Sequence, residues 1–263
     1  MEDTSKIKLF NIPIDAITMS QTLQIVEESI KGRRQIHHSV VNAGKIVLMQ
    51  QDNKLESSVL AADIINADGQ AVVWAANILG YDIPERVSGI DLMEQLVSRS
   101  QDNGYKCFFL GAEDSVVSGL VDKYKKQYSK DIIAGYRDGY FKEEEGEEIA
   151  IRISDSGANI LFVAITSPKK EIFINTYKEH LKGVNFIMGV GGSFDVIAGK
   201  VKRAPVWMQD IGLEWLFRFL QEPIRMWRRY TIGNIRFVLL VLMNFRRTSF
   251  HYSTNRKLDR FYR

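Results

Sequence analysis

A doubly wound α/β domain followed by a basic helical appendage is the fold class that this 263-residue sequence predicts. Three observations predict it. Short runs that are apolar throughout recur along residues 7–199, as expected for parallel strands covered on both faces. Longer stretches of helical spacing separate them, so the order is βαβα. After residue 199 the composition changes: residues 200–263 hold 14 Lys and Arg against 4 Asp and Glu, a balance of +10. Residues 1–199 hold 21 against 28, a balance of −7.

The strands are expected at Ser39–Val41, Ile64–Ala67, Cys107–Leu110, Ile132–Ala134, Ile160–Ile165 and Phe186–Val190. The helices are expected at Lys45–Ala61, Gly89–Asn103, Ser115–Tyr128, Glu144–Asp155 and Lys170–Leu181. Neither an internal repeat nor a long linker interrupts this region. The division follows as an α/β domain over residues 1–199 and an appendage over residues 200–263. In the appendage, Gly212–Leu220 and Ile224–Tyr230 have helical spacing, with Pro223 between them. Proline is tolerated in the first turn of a new helix. Phe237–Met243 is an unbroken apolar run of seven residues, far short of the roughly 20 needed to span a bilayer. Trp207, Trp215 and Trp227, three of the four tryptophans, lie in this part. Aromatic and basic residues beside short apolar segments describe an element lying at a membrane interface. A core helix pair with a solvated basic face is the alternative.

Composition excludes several classes. With 45% hydrophobic and 25% charged residues, the chain is globular. One cysteine, Cys107, allows no internal disulfide, and residues 1–10 lack the apolar segment of a secretory signal. Four histidines and one cysteine show no metal-ligand spacing. His37 and His38 are neighbours on a strand, so their side chains point to opposite faces and read as structural. Ser39 and Ser193 lack a Gly-x-Ser-x-Gly context, which gives serine-nucleophile hydrolysis no support.

Candidate chemistry collects where strands end. Leu110 runs into Gly111-Ala112, Ile165 into Thr166-Ser167-Pro168, and Val190 into Gly191-Gly192-Ser193. Ligands of open α/β sheets bind outside the carboxyl ends of the strands, where glycine admits a close backbone approach. Each turn alone is also an ordinary βα connection; three at one edge favour a nucleotide or phosphate ligand. Asp68 follows the run Ile64–Ala67 and is placed to act as a general base, although Asp-Gly is also a common turn pair. Asn42 occupies the corresponding exit of an earlier strand. Arg86 precedes a helix in Pro84-Glu85-Arg86-Val87-Ser88-Gly89, where it can grip an anion in bidentate fashion. Arg218, Arg225 and Arg228 have spacing suited to one helical face.

An ordered series of short motifs goes further. It comprises Val41-Asn42-Ala43, Ala67-Asp68-Gly69, Pro84–Asp91, Phe109-Leu110-Gly111, Gly139-Tyr140-Phe141, Ser167-Pro168-Lys169-Lys170-Glu171, Gly189–Asp195, Lys202-Arg203-Ala204-Pro205, Gly212–Arg218 and Glu222-Pro223. From about residue 8 to 247 the chain closely resembles the WecG/TagA/CpsF glycosyltransferases, family 26. The resemblance implies a Rossmann-like core and inverting, metal-independent transfer from a UDP-sugar to a polyprenol-diphosphate-linked saccharide. Such reactions build teichoic acid, exopolysaccharide and related cell-surface polymers at the cytoplasmic face of the bacterial membrane, where the enzyme is peripheral.

Carried over by position, the resemblance implies Asp68 as base, with Asn42 and Arg86 lining the active site. It places the donor near Gly111, Ala112, Tyr140, Ser167, Lys170, Gly191, Gly192 and Asp195. Arg218, Arg225, Arg228 and Trp227 fall to the lipid diphosphate and the anionic membrane. No metal or cofactor is expected, since the UDP-sugar is a substrate, and nucleic acid is not expected as a partner. A homo-oligomer stays open. Val40, Thr166 and Lys170 stand where the family commonly has threonine, glycine and glutamine, which bears on the donor sugar more than on the reaction class. The alternative reading is a membrane-associated, nucleotide-binding regulatory or scaffold protein of polysaccharide assembly.

Overall fold

The computed structural model describes residues 6–227 and 233–245. The chain opens with a hairpin, β1 (Lys6–Leu9) and β2 (Ile12–Asp15), turning through Phe10 and Asn11, both at positive φ. Two left-handed residues suit the twist of a two-residue hairpin. Helix α1 (Met19–Lys31) starts in a capping box, in which the Gln21 amide donates to Thr18 and the Thr18 amide donates to the Gln21 side chain.

The rest of the core alternates as expected. After β3 (Ile36–Val41) come α2 (Ala43–Met49) and α3 (Asn53–Leu60), then β4 (Ile64–Ala67), α4 (Gln70–Ile78) and α5 (Gly89–Asn103). Then follow β5 (Cys107–Gly111), α6 (Asp114–Gln127), β6 (Ile133–Arg137), α7 (Gly146–Asp155), β7 (Ile160–Ala164), α8 (Lys169–Thr176), β8 (Phe186–Gly189) and α9 (Ser193–Ile197). Six strands form one parallel sheet in the order β4-β3-β8-β7-β5-β6. This is a Rossmann-like α/β architecture.

The inner strands β5, β7 and β8 are almost wholly buried on both faces, which is why they read as apolar runs. On β7, Ile160, Phe162 and Ala164 pack with α1, α5, α6 and α9, whereas Leu161 and Val163 pack with α7 and α8. Further along the second face, the hairpin, α2, α3 and α4 enclose a third cluster around Ile46, Leu55, Ile65 and Val72. Asp15 joins the hairpin to the sheet by accepting the Ile65 amide at 2.8 Å.

One difference from the sequence expectation has a local cause. The stretch Lys45–Ala61 is two helices, because the Asp52 carboxylate accepts the Lys54 and Leu55 amides, each at 3.0 Å, and starts a new one. The hairpin, α1 and α4 were not anticipated. In the appendage, α10 (Val206–Asp210), α11 (Glu214–Gln221) and α12 (Pro223–Trp227) precede a helix over residues 233–245. That last helix sends Phe237 and Val241 into the third cluster, with Phe237 edge-on to Phe10. No helix among the described residues is long and apolar enough to cross a membrane.

Candidate active site

The carboxyl edge of the sheet gathers most of the expected residues. Asn42, one residue beyond β3, caps α2 by accepting the Lys45 amide at 3.0 Å. Asp68, one residue beyond β4, hangs from β3 through its own amide, which donates to the Val41 carbonyl at 2.9 Å. Its Oδ1 accepts the Gly89 amide, also at 2.9 Å. Gly69 lets these two exits approach: a Cβ there would stand 3.2 Å from Cβ of Asn42. Asp68 and Asn42 therefore share one mouth, and Oδ2 of Asp68 takes no hydrogen bond among the described residues.

The turn after β5 is shaped for close approach. Gly111 has φ +130°, and a Cβ on it would lie 2.5 Å from the Ala164 carbonyl carbon. Ala112 follows at φ 58°, and its carbonyl accepts the Gly139 amide at 2.9 Å. Tyr140, beside that contact, projects into solvent. The exposed ring of Tyr140 can stack on a planar base.

Between β7 and β8 lies a charged cluster that sequence reasoning reached only in part. Ser167 and Lys170 were anticipated; Lys45 and Glu171 were not. Glu171, 2% exposed, accepts from Lys45 Nζ at 2.8 Å, Lys170 Nζ at 2.9 Å and Ser167 Oγ at 2.7 Å, all at Oε1. Lys170 also donates to Ser167 Oγ at 2.8 Å, and its stem crosses the backbone of Gly189. Burial on its own would raise the Glu171 carboxyl; the ammonium groups of Lys45 and Lys170 and the hydrogen bonds outweigh it and hold the group well below the usual carboxylate range. A carboxylate beside a lysine at the start of an expected helix was the available signal. Its second lysine lies 126 positions away, beyond the reach of local spacing.

The appendage reaches this edge through three further contacts. The Arg218 guanidinium lies over Gly192, where a Cβ would come within 2.6 Å of Nη2. Arg86 does not stand ready for a bidentate anion: its Nη1 pairs with Oε2 of Glu214, on α11, at 3.1 Å. Arg203 grips Asp91, the third residue of α5, at 2.6 and 2.8 Å. The loop carrying Arg86 is thus clamped to the appendage on both sides. Gly191, at φ +57°, turns the chain after β8, and Asp195 sits on α9, half-buried.

The arginine series is divided. Glu222 leaves the helical region, so Arg218 belongs to α11 and Arg225 to α12. Arg228 lies outside the described residues, while Trp227 is exposed at the end of α12. His37 and His38 are buried in β3 and held neutral, burial lowering them to about 3 and about 4; His38 shares a 2.9 Å hydrogen bond with Asn66. Burial pushes Cys107 up to about 12. Among the described residues no three His, Cys, Asp or Glu side chains are grouped to hold a metal ion.

Comparison with known proteins matches residues 7–250 to the family model described as Glycosyl transferase WecG/TagA/CpsF. Among curated proteins, the chain is similar to the N-acetylglucosaminyldiphosphoundecaprenol N-acetyl-beta-D-mannosaminyltransferase of Bacillus spizizenii. The two are 37% identical over 179 residues, covering 68% of each chain.

Proposed function

Because this chain belongs to the WecG/TagA/CpsF glycosyltransferase family, we propose that it moves a hexosyl group from a UDP-sugar to a polyprenol-diphosphate-linked saccharide, with inversion. The carrying observation is the shared mouth of Asp68 and Asn42, set beside glycine turns at the ends of β5 and β8. The Bacillus spizizenii relative, whose name couples a diphosphoundecaprenol-linked sugar to an N-acetylmannosaminyl group, supports the acceptor class and the reaction class.

The proposed chemistry is one displacement. An acceptor hydroxyl oxygen forms a bond to the anomeric carbon, on the face opposite the departing UDP. The bond from that carbon to the β-phosphate oxygen breaks, and its electron pair leaves with UDP. Asp68 takes the hydroxyl proton on Oδ2, while Oδ1 stays anchored to the Gly89 amide and fixes the carboxylate plane. Asn42 sits beside the reacting sugar. The uridine lies along Gly111, Ala112 and Tyr140, and Asp195 closes the donor side.

No metal serves this mechanism. Charge on the leaving diphosphate is met by the amides of the Gly191-Gly192 turn and by Arg218 above it; Lys170, buried and paired with Glu171, acts by holding Ser167. Arg86, occupied by Glu214, acts by holding the appendage against the site rather than by gripping phosphate. Arg225, Arg228 and Trp227 fall to the lipid diphosphate and the membrane, on whose inner face the enzyme is peripheral. Release of UDP from a panel of UDP-sugars, with and without a short-chain polyprenol-diphosphate saccharide, tests this function. Release that requires both substrates is expected. Donor binding without release for every acceptor would support the scaffold reading instead.

A further inference from the structure

Oδ1 of Asp68 is anchored by the Gly89 amide at 2.9 Å, so whatever fixes Gly89 also aims the other oxygen, Oδ2. Gly89 opens α5, whose N-cap, Ser88, gives the helix no side-chain cap. Two anchors frame the glycine instead. Two residues before it, the Val87 amide donates to the Ala67 carbonyl at 2.9 Å, within the α/β domain. Two residues after it, Asp91 accepts from Arg203 of the appendage, from Nη1 at 2.6 Å and from Nη2 at 2.8 Å, one on each carboxylate oxygen. The Ser88 side chain shares a hydrogen bond with Asp91 as well. The residue directly before Gly89 is thereby tied to the appendage. Burial works against the charged form of Asp91; the bond and charge of Arg203, with the bond from Ser88, outweigh it and hold the carboxyl below its usual range.

Arg203 is itself held through the backbone on both sides. Oε1 of Gln221, on α11, accepts the Lys202 amide at 3.1 Å, and its Nε2 donates to the Lys202 carbonyl at 3.0 Å. Gln209, on α10, donates to the Ala204 carbonyl at 2.7 Å. The chain is thus bracketed one residue before and one residue after Arg203. A planar guanidinium carried on a fixed backbone, with one Nη on each carboxylate oxygen, sets direction as well as distance. An ordinary surface ion pair between two long side chains sets neither.

We propose that Arg203 and Asp91 are positioning residues of the transfer reaction: through Ser88 and Gly89 they hold the amide that orients Asp68. This rests on Asp68 as general base in the proposed function and adds what keeps that base aimed. The appendage then acts on the proton-transfer step itself, through a bridge to the first turn of α5. A small displacement is enough, since a misplacement of about 1 Å remote from the chemistry can cost on the order of 10²-fold in rate. The bond from Val87 to Ala67 remains when the bridge is lost, so turnover falls without being abolished.

The test measures kcat, acceptor KM and donor Kd for the full chain, with the UDP-sugar and lipid-linked saccharide that give UDP release in the panel above. Arg203→Ala and Asp91→Asn should each lower kcat about tenfold, with acceptor KM and donor Kd within about twofold. Arg203→Lys should recover only part of the loss, because an ammonium cannot span both oxygens. Asp91→Asn leaves the appendage sequence intact, so it keeps the test valid if Arg203→Ala fails to fold. The decisive comparison is made on the Asp68→Asn background, in single turnover with excess enzyme so that slow rates are still read. There Arg203→Ala should cost less than about twofold more, because it acts through the missing carboxylate. Unchanged kcat in both single variants overturns the proposal. So does a loss confined to acceptor KM, or one that persists in full on the Asp68→Asn background, since a plain tether for the appendage gives either. Full kcat in Asp68→Asn alone is a failure of the base assignment, and this proposal falls with it. A slow Asp68→Asn beside unaffected Arg203→Ala and Asp91→Asn is a failure of the bridge alone.

Discussion

Replacing Glu171 with glutamine removes the one carboxylate that Lys45 and Lys170 share. Both ammonium groups stand under 3 Å from the same oxygen, and all three side chains are almost fully buried. Without the negative charge, two cations that each stand within 3 Å of one atom repel by ~3 kcal/mol or more at an effective dielectric of about 20. Breaking a buried pair while leaving its partner charged typically costs about 3–5 kcal/mol. Glu171→Gln should therefore lose about 3–5 kcal/mol in urea unfolding followed by circular dichroism. Lys170→Gln is the control: Lys45 keeps its partner, so the loss should stay near 1 kcal/mol or below. Equal losses in the two variants, or a loss below about 1 kcal/mol for Glu171→Gln, would refute the shared-carboxylate reasoning.

Stability should depend on pH through His37 and His38. Their folded values, about 3 and about 4, lie below the ordinary 6.5, so the unfolded chain binds more protons between those limits. Stability is then full above pH 6.5 and falls on acidification, by on the order of 3 kcal/mol or more at pH 4; urea unfolding at several pH values measures it, and a flat profile contradicts it. Gly111→Ala should destabilise by about 3 kcal/mol or more, since the new Cβ meets the Ala164 backbone at 2.5 Å and φ is +130°. A stability unchanged in thermal unfolding would show that the turn relaxes freely. Arg86→Ala and Glu214→Ala should couple by about 1 kcal/mol in a double-mutant cycle, a modest value because the pair is partly exposed. Zero coupling would remove Arg86 from the clamp.

The parallel sheet was legible because its inner strands are buried on both faces: Ile160–Ala164 and Phe186–Gly189 are apolar with no alternation to confuse them. Helix α5 was equally plain, ending at Gly104, which takes the left-handed conformation of a helix stop. Helix α4 escaped for the opposite reason. It has no charged face, so its apolar residues show no helical stripe against polar ones. The hairpin is four residues per strand, and its turn uses Phe10 and Asn11 rather than a glycine pair. At the site, strand exits revealed Asn42 and Asp68, because position after a strand is a local property. Partners across the fold were not local. Glu171 meets Lys45, and Arg86 meets Glu214 across 128 positions; only the folded sheet edge brings them together. Arg86 shows the consequence, since its loop position suggested a bound anionic ligand while the fold supplied the chain's own Glu214.

Asp68 as general base is the centre of the account, and one paired measurement tests it most directly. The UDP-sugar Kd and the kcat for UDP release are determined for the unmodified chain and for Asp68→Asn with the same lipid-linked acceptor. Asparagine keeps the hydrogen bond from the Gly89 amide but cannot take a proton at neutral pH. The predicted result is a Kd within about twofold and a kcat lower by about 10²–10⁴. A kcat equal to that of the unmodified chain contradicts the assignment and moves the base elsewhere.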